Sequence, residues 1–344
     1  MQKSELGLVA GPLSNFVGES AAFMASVELI RLFARSRASV LILGETGTGK
    51  ELAAHAVHYL SDRRDCAFIP INCGALPDAL IESELFGHAK GAFTDADHAR
   101  LGLVRQAEGG TLFLDEVEAL SARGQVILLR FLQDASFRPI GEEQLRHADV
   151  RVIAASNVDL YRMVERHEFR PDLLFRLDVL SIKLSPLRDR VSDIALLVPH
   201  LLAKAACLEG GHPKSLSPWA LDLLSAHSWP GNVRELEHVL LRAHLISPGA
   251  IIETHDLLKC STAFIGKESQ IALVDRTRLR EQKLLAVREV ERRFVEVALA
   301  MTNGNISEAA RLCQMERATL SRMAKKYGCK FLNLSSPMLN GVIN

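Results

Sequence analysis

SVLILG (residues 39–44) runs directly into ETGTGKE (45–51), and ELAAHAVHYL (51–60) continues from there. A short apolar run ending in glycine reads as a buried strand, and the pattern after the loop is helical. A glycine-rich turn between a strand and a helix is the setting that a phosphate-binding P-loop requires. Its residues are Gly44, Glu45, Thr46, Gly47, Thr48, Gly49 and Lys50. The glycines let backbone N–H groups converge on phosphate oxygens, and the helix N-terminus adds a favourable dipole. Lys50 is placed to reach the β- and γ-phosphates. Glu51 stands where Ser or Thr usually ligates magnesium, so another group must hold that metal.

Working outward, further strands are predicted at 67–71, 111–115, 150–155 and 179–183, with helical stretches between them. The alternation implies an α/β fold, a parallel sheet with helices on both faces. GGTLFLDE (109–116) carries Asp115 and Glu116 out at the C-terminal end of a strand, where open parallel sheets bind ligands. Asp115 suits the organisation of Mg2+, and Glu116 suits a base that polarises the attacking water. The chemistry read from this pair and the P-loop is nucleoside triphosphate hydrolysis. From 187 to 258 strand signals stop and the pattern is helical, with breaks at Gly210–Gly211, Pro218 and Pro230–Gly231. Residues 260–275 read as a linker, and 277–328 are helical again.

The 344 residues are 48% hydrophobic and 24% charged, which excludes a wholly disordered chain. The net charge of zero hides an asymmetry: residues 276–330 hold 13 Lys/Arg against 6 Asp/Glu, and the rest hold 28 against 35. A basic C-terminal segment on an acidic body points to a small module that meets a polyanion. Within it, 284–301 form an amphipathic helix, NGNISEAARLC (303–313) a second with Asn305 or Ser307 as cap, and ERATLSRMAKKYG (316–328) a third after a turn at Gln314–Met315. Helix–turn–helix of this length is a major-groove reader by pattern. Arg317, Thr319 and Arg322 are candidates for base or phosphate contact, with Ser321 on the same helix; Lys325 and Lys326 suit phosphates.

The most apolar stretch, IALLVPHLLAKAACL (194–208), is interrupted by Pro199, His200 and Lys204, and the N-terminus lacks a secretory signal. Six cysteines form no CxxC pair and the histidines no ligand spacing, so the expectation is a soluble cytoplasmic protein with reduced thiols, no membrane partner and no metal beyond magnesium.

Several strings together resemble one family, the AAA+ ATPases that activate bacterial sigma-54 RNA polymerase, also called bacterial enhancer-binding proteins. They are FVGES (16–20), GETGTGKE (44–51), INCGAL (71–76), ESELFGHAKGAFTDA (82–96), GGTLFLDE (109–116), FRPDLLFRLDVL (169–180), PLRDR (186–190) and WPGNVREL (229–236). The resemblance covers roughly 14–258, with a Fis-type helix-turn-helix segment after it. It implies a tail at 1–13, an α/β ATPase subdomain at 14–186, a helical lid at 187–258, a linker at 259–276, a Fis-type DNA-binding domain at 277–330 and a tail at 331–344. It implies ATP and Mg2+ as cofactors. Asn72 matches the switch residue that senses the γ-phosphate through Glu116, and Ser156 and Asn157 fall in the sensor I region. Arg170 and Arg176 match the arginine fingers that reach a neighbouring subunit's site, and Arg234 matches the sensor II arginine of the lid. The implied partners are an upstream activating DNA sequence, sigma-54 RNA polymerase, further copies of the chain in a hexameric or heptameric ring, and a dimer mate through the first helix of the DNA-binding domain.

The chain departs from the family pattern at three places. The sigma-contact loop, GAFTGA in the family, reads Gly91-Ala92-Phe93-Thr94-Asp95-Ala96. Phe93 and Thr94 are kept, but Asp95 replaces a glycine, and a ring would gather one such carboxylate per subunit at its pore. Aspartate tolerates positive φ better than most residues, so the loop can keep its shape. In the DNA-binding segment Gln314 replaces the usual turn glycine, and Glu316 replaces a small hydroxyl residue and is expected to cap the last helix or accept from a cytosine amine. Three functional readings stand: an ATP-driven activator of sigma-54 polymerase; a DNA-binding activator or repressor that works without sigma-54, with or without a controlling ligand; and an AAA+ machine acting outside transcription, against which the GAFT residues and the helix–turn–helix weigh heavily. The few residues before the ATPase module leave no room for a receiver or GAF domain, so control is expected from a separate regulatory protein, a co-activator or expression level.

Overall fold

A computed structural model of the chain describes residues 16–92, 98–260 and 276–328. The chain divides into two compact units, Met1–Ile265 and Gly266–Asn344. The first is built on a five-stranded sheet: β1 Val40–Leu43, β2 Phe68–Asn72, β3 Thr111–Asp115, β4 Arg151–Ser156 and β5 Leu180–Lys183. The strand order is β2-β3-β4-β1-β5 and every pairing is parallel.

The strands are apolar almost throughout because both faces of the sheet are covered. Alternate residues serve opposite layers, as the two-residue period of a strand demands. Leu41, Leu112, Leu114, Val152 and Ala154 belong to one hydrophobic cluster, and Val40, Ile42, Phe113, Ile153 and Ala155 to the other. Helices α1 Ala21–Ala34 and α2 Lys50–Tyr59 supply the second cluster, through Ile30 and the alanines at 53, 54 and 56. The first cluster is closed by α3 Ile81–Phe86, α4 Leu103–Gln106, α5 Ala122–Asp134, α6 Leu160–Glu165 and α7 Pro171–Leu177.

Between α3 and α4, Gly87–His88 pairs antiparallel with Arg100–Leu101 and forms the stem of the segment that carries GAFTDA. Of that motif Gly91 and Ala92 are described, with Gly91 at φ 78°. Phe93, Thr94, Asp95 and Ala96 lie outside the described residues.

Four helices follow the sheet: α8 Ile194–Glu209, α9 Pro218–Ser225, α10 Asn232–Ile246 and α11 Thr254–Cys260. They pack around Trp229, whose side chain is fully buried and whose indole N–H donates to the Leu224 carbonyl at 2.8 Å. One sequence expectation is corrected in this part of the fold. In line with the helical pattern read for 187–258, α8 runs through Pro199, which lies exposed on its outer side. Proline forfeits one helical hydrogen bond, but Ile194, Leu197, Val198, Leu201 and Leu202 bury together on the inner side and outweigh that loss. Counted with the turn that precedes it, the span Val191–Glu209 is long and apolar enough to cross a bilayer; its apolar face is spent on the lid core. Strand structure, however, does not stop at 187, because Ser215–Leu216 pairs in parallel with Ile251–Ile252.

The second unit holds three helices, α12 Arg276–Met301, α13 Ile306–Leu312 and α14 Arg317–Lys326. Helix α12 starts eight residues ahead of the predicted 284. Val295, Leu299, Ile306, Ala310 and Leu320 form its core. Asn305 is the cap of α13, accepting from the Ser307 and Glu308 amides at 3.1 and 3.4 Å. Gln314 adopts φ 53°, the left-handed turn that glycine would make more cheaply. Glu316 occupies the N-cap of α14, yet its side chain makes no capping bond, contrary to expectation. Glutamate is one methylene longer than the residues that cap well, so its oxygens do not fold back onto the first-turn amides.

Candidate functional site

The sheet order brings the C-terminal ends of β1, β3 and β4 side by side, and the phosphate loop leaves β1 at that edge. Gly44 N–H donates to the Ser156 carbonyl of β4 at 3.2 Å, which anchors the start of the loop. Thr48 Oγ1 donates to the Glu45 carbonyl at 2.7 Å and tightens the turn. Lys50, 9% exposed, donates Nζ to the Gly44 and Glu45 carbonyls at 2.8 and 3.3 Å. Burial pushes its amine below the ordinary lysine value, against the opposing pull of Asp115, Glu118 and Glu116. A bound phosphate supplies negative charge at that point and favours the protonated amine.

Asp115 ends β3, with Asn72 of β2 paired beside it in register. Burial raises the Asp115 carboxyl above its usual value, opposed by the Glu116 amide, which it accepts at 3.0 Å, and by Lys50. Glu116 sits at φ 54°, an unfavourable region for glutamate that persists where surrounding structure enforces it. A methyl group at Gly74 would meet Glu116 Oε2 at 3.0 Å and Asn72 Oδ1 at 3.3 Å, so the carboxylate and the amide face the same turn. Asn72 Oδ1 accepts from the Gly74 and Ala75 amides at 2.8 and 3.2 Å and caps that turn. The neighbouring Cys73 thiol is buried and pushed up to about 12, chiefly by burial. It is a packing group, not a nucleophile.

Glu118 was not singled out in the sequence. Its Oε1 accepts from the Asn157 amide at 3.3 Å, and its Oε2 is buried with no hydrogen-bond partner. Ser156, fully buried, exchanges hydrogen bonds with the Val158 backbone at 3.0 and 3.2 Å. Glu51, in the first turn of α2, is exposed but close enough to Asp115 to raise its carboxyl. Among the described residues no three His, Cys, Asp or Glu side chains gather as a self-contained metal site. Mg2+ takes one or two carboxylates, keeps waters and binds substrate phosphates. Asp115, with the unpartnered Glu118 oxygen nearby, fits an ion held jointly with a nucleotide.

The lid closes over the loop. A methyl group at Gly47 would lie 2.2 Å from the Gly231 carbonyl and 3.0 Å from Arg234 Cβ, so only glycine fits beneath the lid. Val233 N–H donates to the Gly47 carbonyl at 3.0 Å, which brings Arg234 to the rim. Arg188, Arg190 and Asn232, to which the sequence strings assigned no role, all hold the loop. Arg188 forks onto the Glu45 carboxylate at 2.8 and 2.6 Å, and Asn232 Nδ2 reaches it at 3.2 Å. Arg188 and Asn232 draw that acid down to about 2. Buried Arg190 donates to the Thr48 carbonyl at 3.3 Å, and burial lowers its guanidinium.

Arg170 is the exposed N-cap of α7, and Arg176 stands on the helix's outer side, opposite Leu173, Leu174 and Leu177. Arg170 forks onto Asp172 at 3.0 and 2.7 Å. The Arg176 side chain makes no hydrogen bond or ion pair among the described residues, and its neighbour Phe175 is 76% exposed.

On α14, Leu320 and Ala324 face the core, and Arg317, Arg322, Lys325 and Lys326 are exposed, with Thr319 and Ser321 half-buried. Lys326 is partly committed elsewhere: its ammonium pairs with Glu291 at 3.2 Å and lies over the Tyr327 ring.

Comparison with known proteins matches residues 16–183 to the family described as Sigma-54 interaction domain, 188–266 to the AAA+ ATPase lid domain, and 286–327 to the bacterial regulatory proteins of the Fis family. The transcriptional regulatory protein ZraR of Escherichia coli K12 is 41% identical over 320 residues, covering 92% of this chain and 70% of ZraR. The nitrogen fixation protein AnfA of Azotobacter vinelandii is 41% identical over 322 residues, 94% of this chain and 59% of AnfA. This chain thus spans about three fifths of that longer relative. Among solved structures, NtrX from Brucella abortus in complex with ATP superposes with a TM-score of 0.66 at 31% identity, covering 91% of this chain and 69% of NtrX.

Proposed function

The chain belongs to the sigma-54 interaction family of AAA+ bacterial regulators with a Fis-type helix-turn-helix, and on that footing we propose that it hydrolyses ATP and uses the energy to remodel sigma-54 RNA polymerase from an upstream DNA site. The observation that carries this reading is the convergence of Lys50, Asp115 and Glu116 at one sheet edge, beneath a lid that brings Arg234 to the same loop. Lys50 and the loop amides hold the phosphates. Asp115 holds Mg2+, which neutralises charge on the phosphates when bound. Glu116 takes a proton from the attacking water, and Asn72 couples Glu116 to the state of the γ-phosphate. Ser156 and Asn157 form the wall at β4, and Glu51, in the first turn of α2, completes the set of nucleotide-binding residues.

Arg170 and Arg176 act in trans. The exposure of both arginines at α7, and the lack of a side-chain partner for Arg176 among the described residues, suit groups completed by the next subunit of a hexameric ring. DNA is read by α14, with Arg317, Thr319 and Arg322 toward bases or phosphates, Ser321 beside them, and Lys325 on the backbone. Val290, Phe294, Val297 and Met301, which are 70, 44, 52 and 69% exposed, form one stripe along α12. An apolar stripe at this spacing supports a dimer through that helix and hence paired half-sites.

A second reading follows from Asp95: a regulator that binds DNA but does not grip sigma-54. Open-complex formation by sigma-54 polymerase on a supercoiled promoter separates the two, with wild type and Asp95→Gly compared in ATP or a non-hydrolysable analogue. ATP-dependent melting by the wild type is the expected result. Melting by Asp95→Gly alone refutes sigma-54 activation by this chain, and melting by neither refutes it equally.

A further inference from the structure

Glu45 serves the phosphate loop with its backbone, since its carbonyl accepts from Thr48 Oγ1 and Lys50 Nζ. Its carboxylate is held by groups from far along the chain: the Arg188 fork at 2.8 and 2.6 Å and the Asn232 amide at 3.2 Å. Asn232 is fully buried at φ 51° and is the first residue of α10. Its Nδ2 also donates to the Thr46 carbonyl at 3.0 Å, and its Oδ1 accepts from the Leu187 amide at 2.7 Å. One side chain therefore ties together the loop, the entry to the lid and the start of α10. The next residue, Val233, donates to the Gly47 carbonyl, and the one after that is Arg234.

We propose that Glu45 is a positioning residue for Arg234: gripped by Arg188 and Asn232, it pins the first turn of α10 against Gly47 and so carries Arg234 to the phosphate loop. The inference rests on Arg234 being the arginine of the lid that meets the nucleotide. A half-exposed ion pair alone contributes little. This one is bidentate and joined to a buried amide and a backbone bond, and members of such a network support one another. Its acid is drawn down to about 2, so it stays ionised at neutral pH. Without the carboxylate, Arg188 has no fork to close, and toward the phosphate loop the turn bearing Arg234 keeps only the Val233–Gly47 bond and the Asn232–Thr46 bond. A guanidinium displaced by about 1 Å from a developing charge is enough to cost a large factor in rate.

The test uses the full chain, with steady-state ATP turnover and binding of a fluorescent ATP analogue measured for Glu45→Gln, Arg188→Gln, Arg234→Ala and the pairwise combinations. Glu45→Gln is expected to lower kcat about tenfold, the scale of a lost charged hydrogen bond, with a smaller change in analogue affinity. Adding Glu45→Gln to Arg234→Ala is expected to change nothing further, because the positioned group is already gone. Arg188→Gln lies outside the loop, leaves the loop sequence intact and is expected to reproduce both results, so a folding defect of one variant does not decide the outcome. Multiplying losses in the double variants overturn the proposal, since Glu45 then acts independently of Arg234. Wild-type turnover by Glu45→Gln overturns it as well. If Arg234→Ala turns over normally, the reading of Arg234 itself fails and the positioning proposal falls with it.

Discussion

Asn232→Ala tests the junction between lid and phosphate loop most directly. The substitution leaves the Leu187 amide without its acceptor, and Leu187 is fully buried. An unsatisfied buried N–H costs about 1–3 kcal/mol. Residue 232 also sits at φ 51°, where alanine costs about 1 kcal/mol more than asparagine. The Thr46 carbonyl loses a donor too, but Thr46 is exposed and water replaces it. The sum is a destabilisation of about 2–4 kcal/mol. The chain has two tryptophans, Trp219, 48% exposed, and Trp229, fully buried in the lid core three residues from Asn232. In a Trp219→Phe background, urea unfolding followed by tryptophan fluorescence reports the lid alone. The expected midpoint shift is on the order of 1 M. Asn232→Gly removes the same hydrogen bonds but relieves the left-handed penalty, so it recovers about 1 kcal/mol of the loss. Alanine within about 0.5 kcal/mol of its parent, a surface-like effect, refutes the reasoning; so does a glycine variant less stable than alanine.

Three further outcomes follow from the same geometry. Glu116→Gln retains binding of the ATP analogue while phosphate release falls by about 100-fold or more, as removal of a general base requires; release within tenfold of wild type rejects the assignment. Arg322→Ala weakens specific DNA binding by about 1–3 kcal/mol and spares ATP turnover, whereas Lys326→Ala, already paired with Glu291, has the smaller effect in a mobility-shift titration; the reverse order contradicts the face assigned to α14. The Glu45 carboxyl lies at about 2 against an ordinary 4.5. A depressed acid stabilises the fold fully above its unfolded value and loses that contribution as pH falls toward the folded one. The stability gap between wild type and Glu45→Gln, read from Trp229, is therefore constant above pH 4.5 and closes between about 4.5 and 2; a gap that widens in that window rejects the pairing.

Local pattern sufficed for the sheet. Each strand is a short apolar run with a glycine or polar stop, and its identity depends on residues within a few positions of one another. The same holds for the phosphate loop between β1 and α2, for Asp115 and Glu116 at a strand end, and for Asn305 as a cap. Local pattern misled where a distant surface decided the issue. Strand signals looked to end at 187, but Ser215–Leu216 finds its parallel partner, Ile251–Ile252, far along the chain. Glu316 looked like a cap by position, but its side-chain length set the outcome.

The phosphate loop and the parallel α/β frame around it were determined by the sequence alone, since neighbour-range hydrophobicity, glycine placement and charge specify them. The grip on that loop was decided only by tertiary structure. Arg188 and Asn232 lie 143 and 187 residues from Glu45, and no periodicity or spacing encodes which cation meets which carboxylate across such a gap. Chain topology and a buried amide at positive φ select the partners, because a side chain with one satisfied arrangement excludes the others.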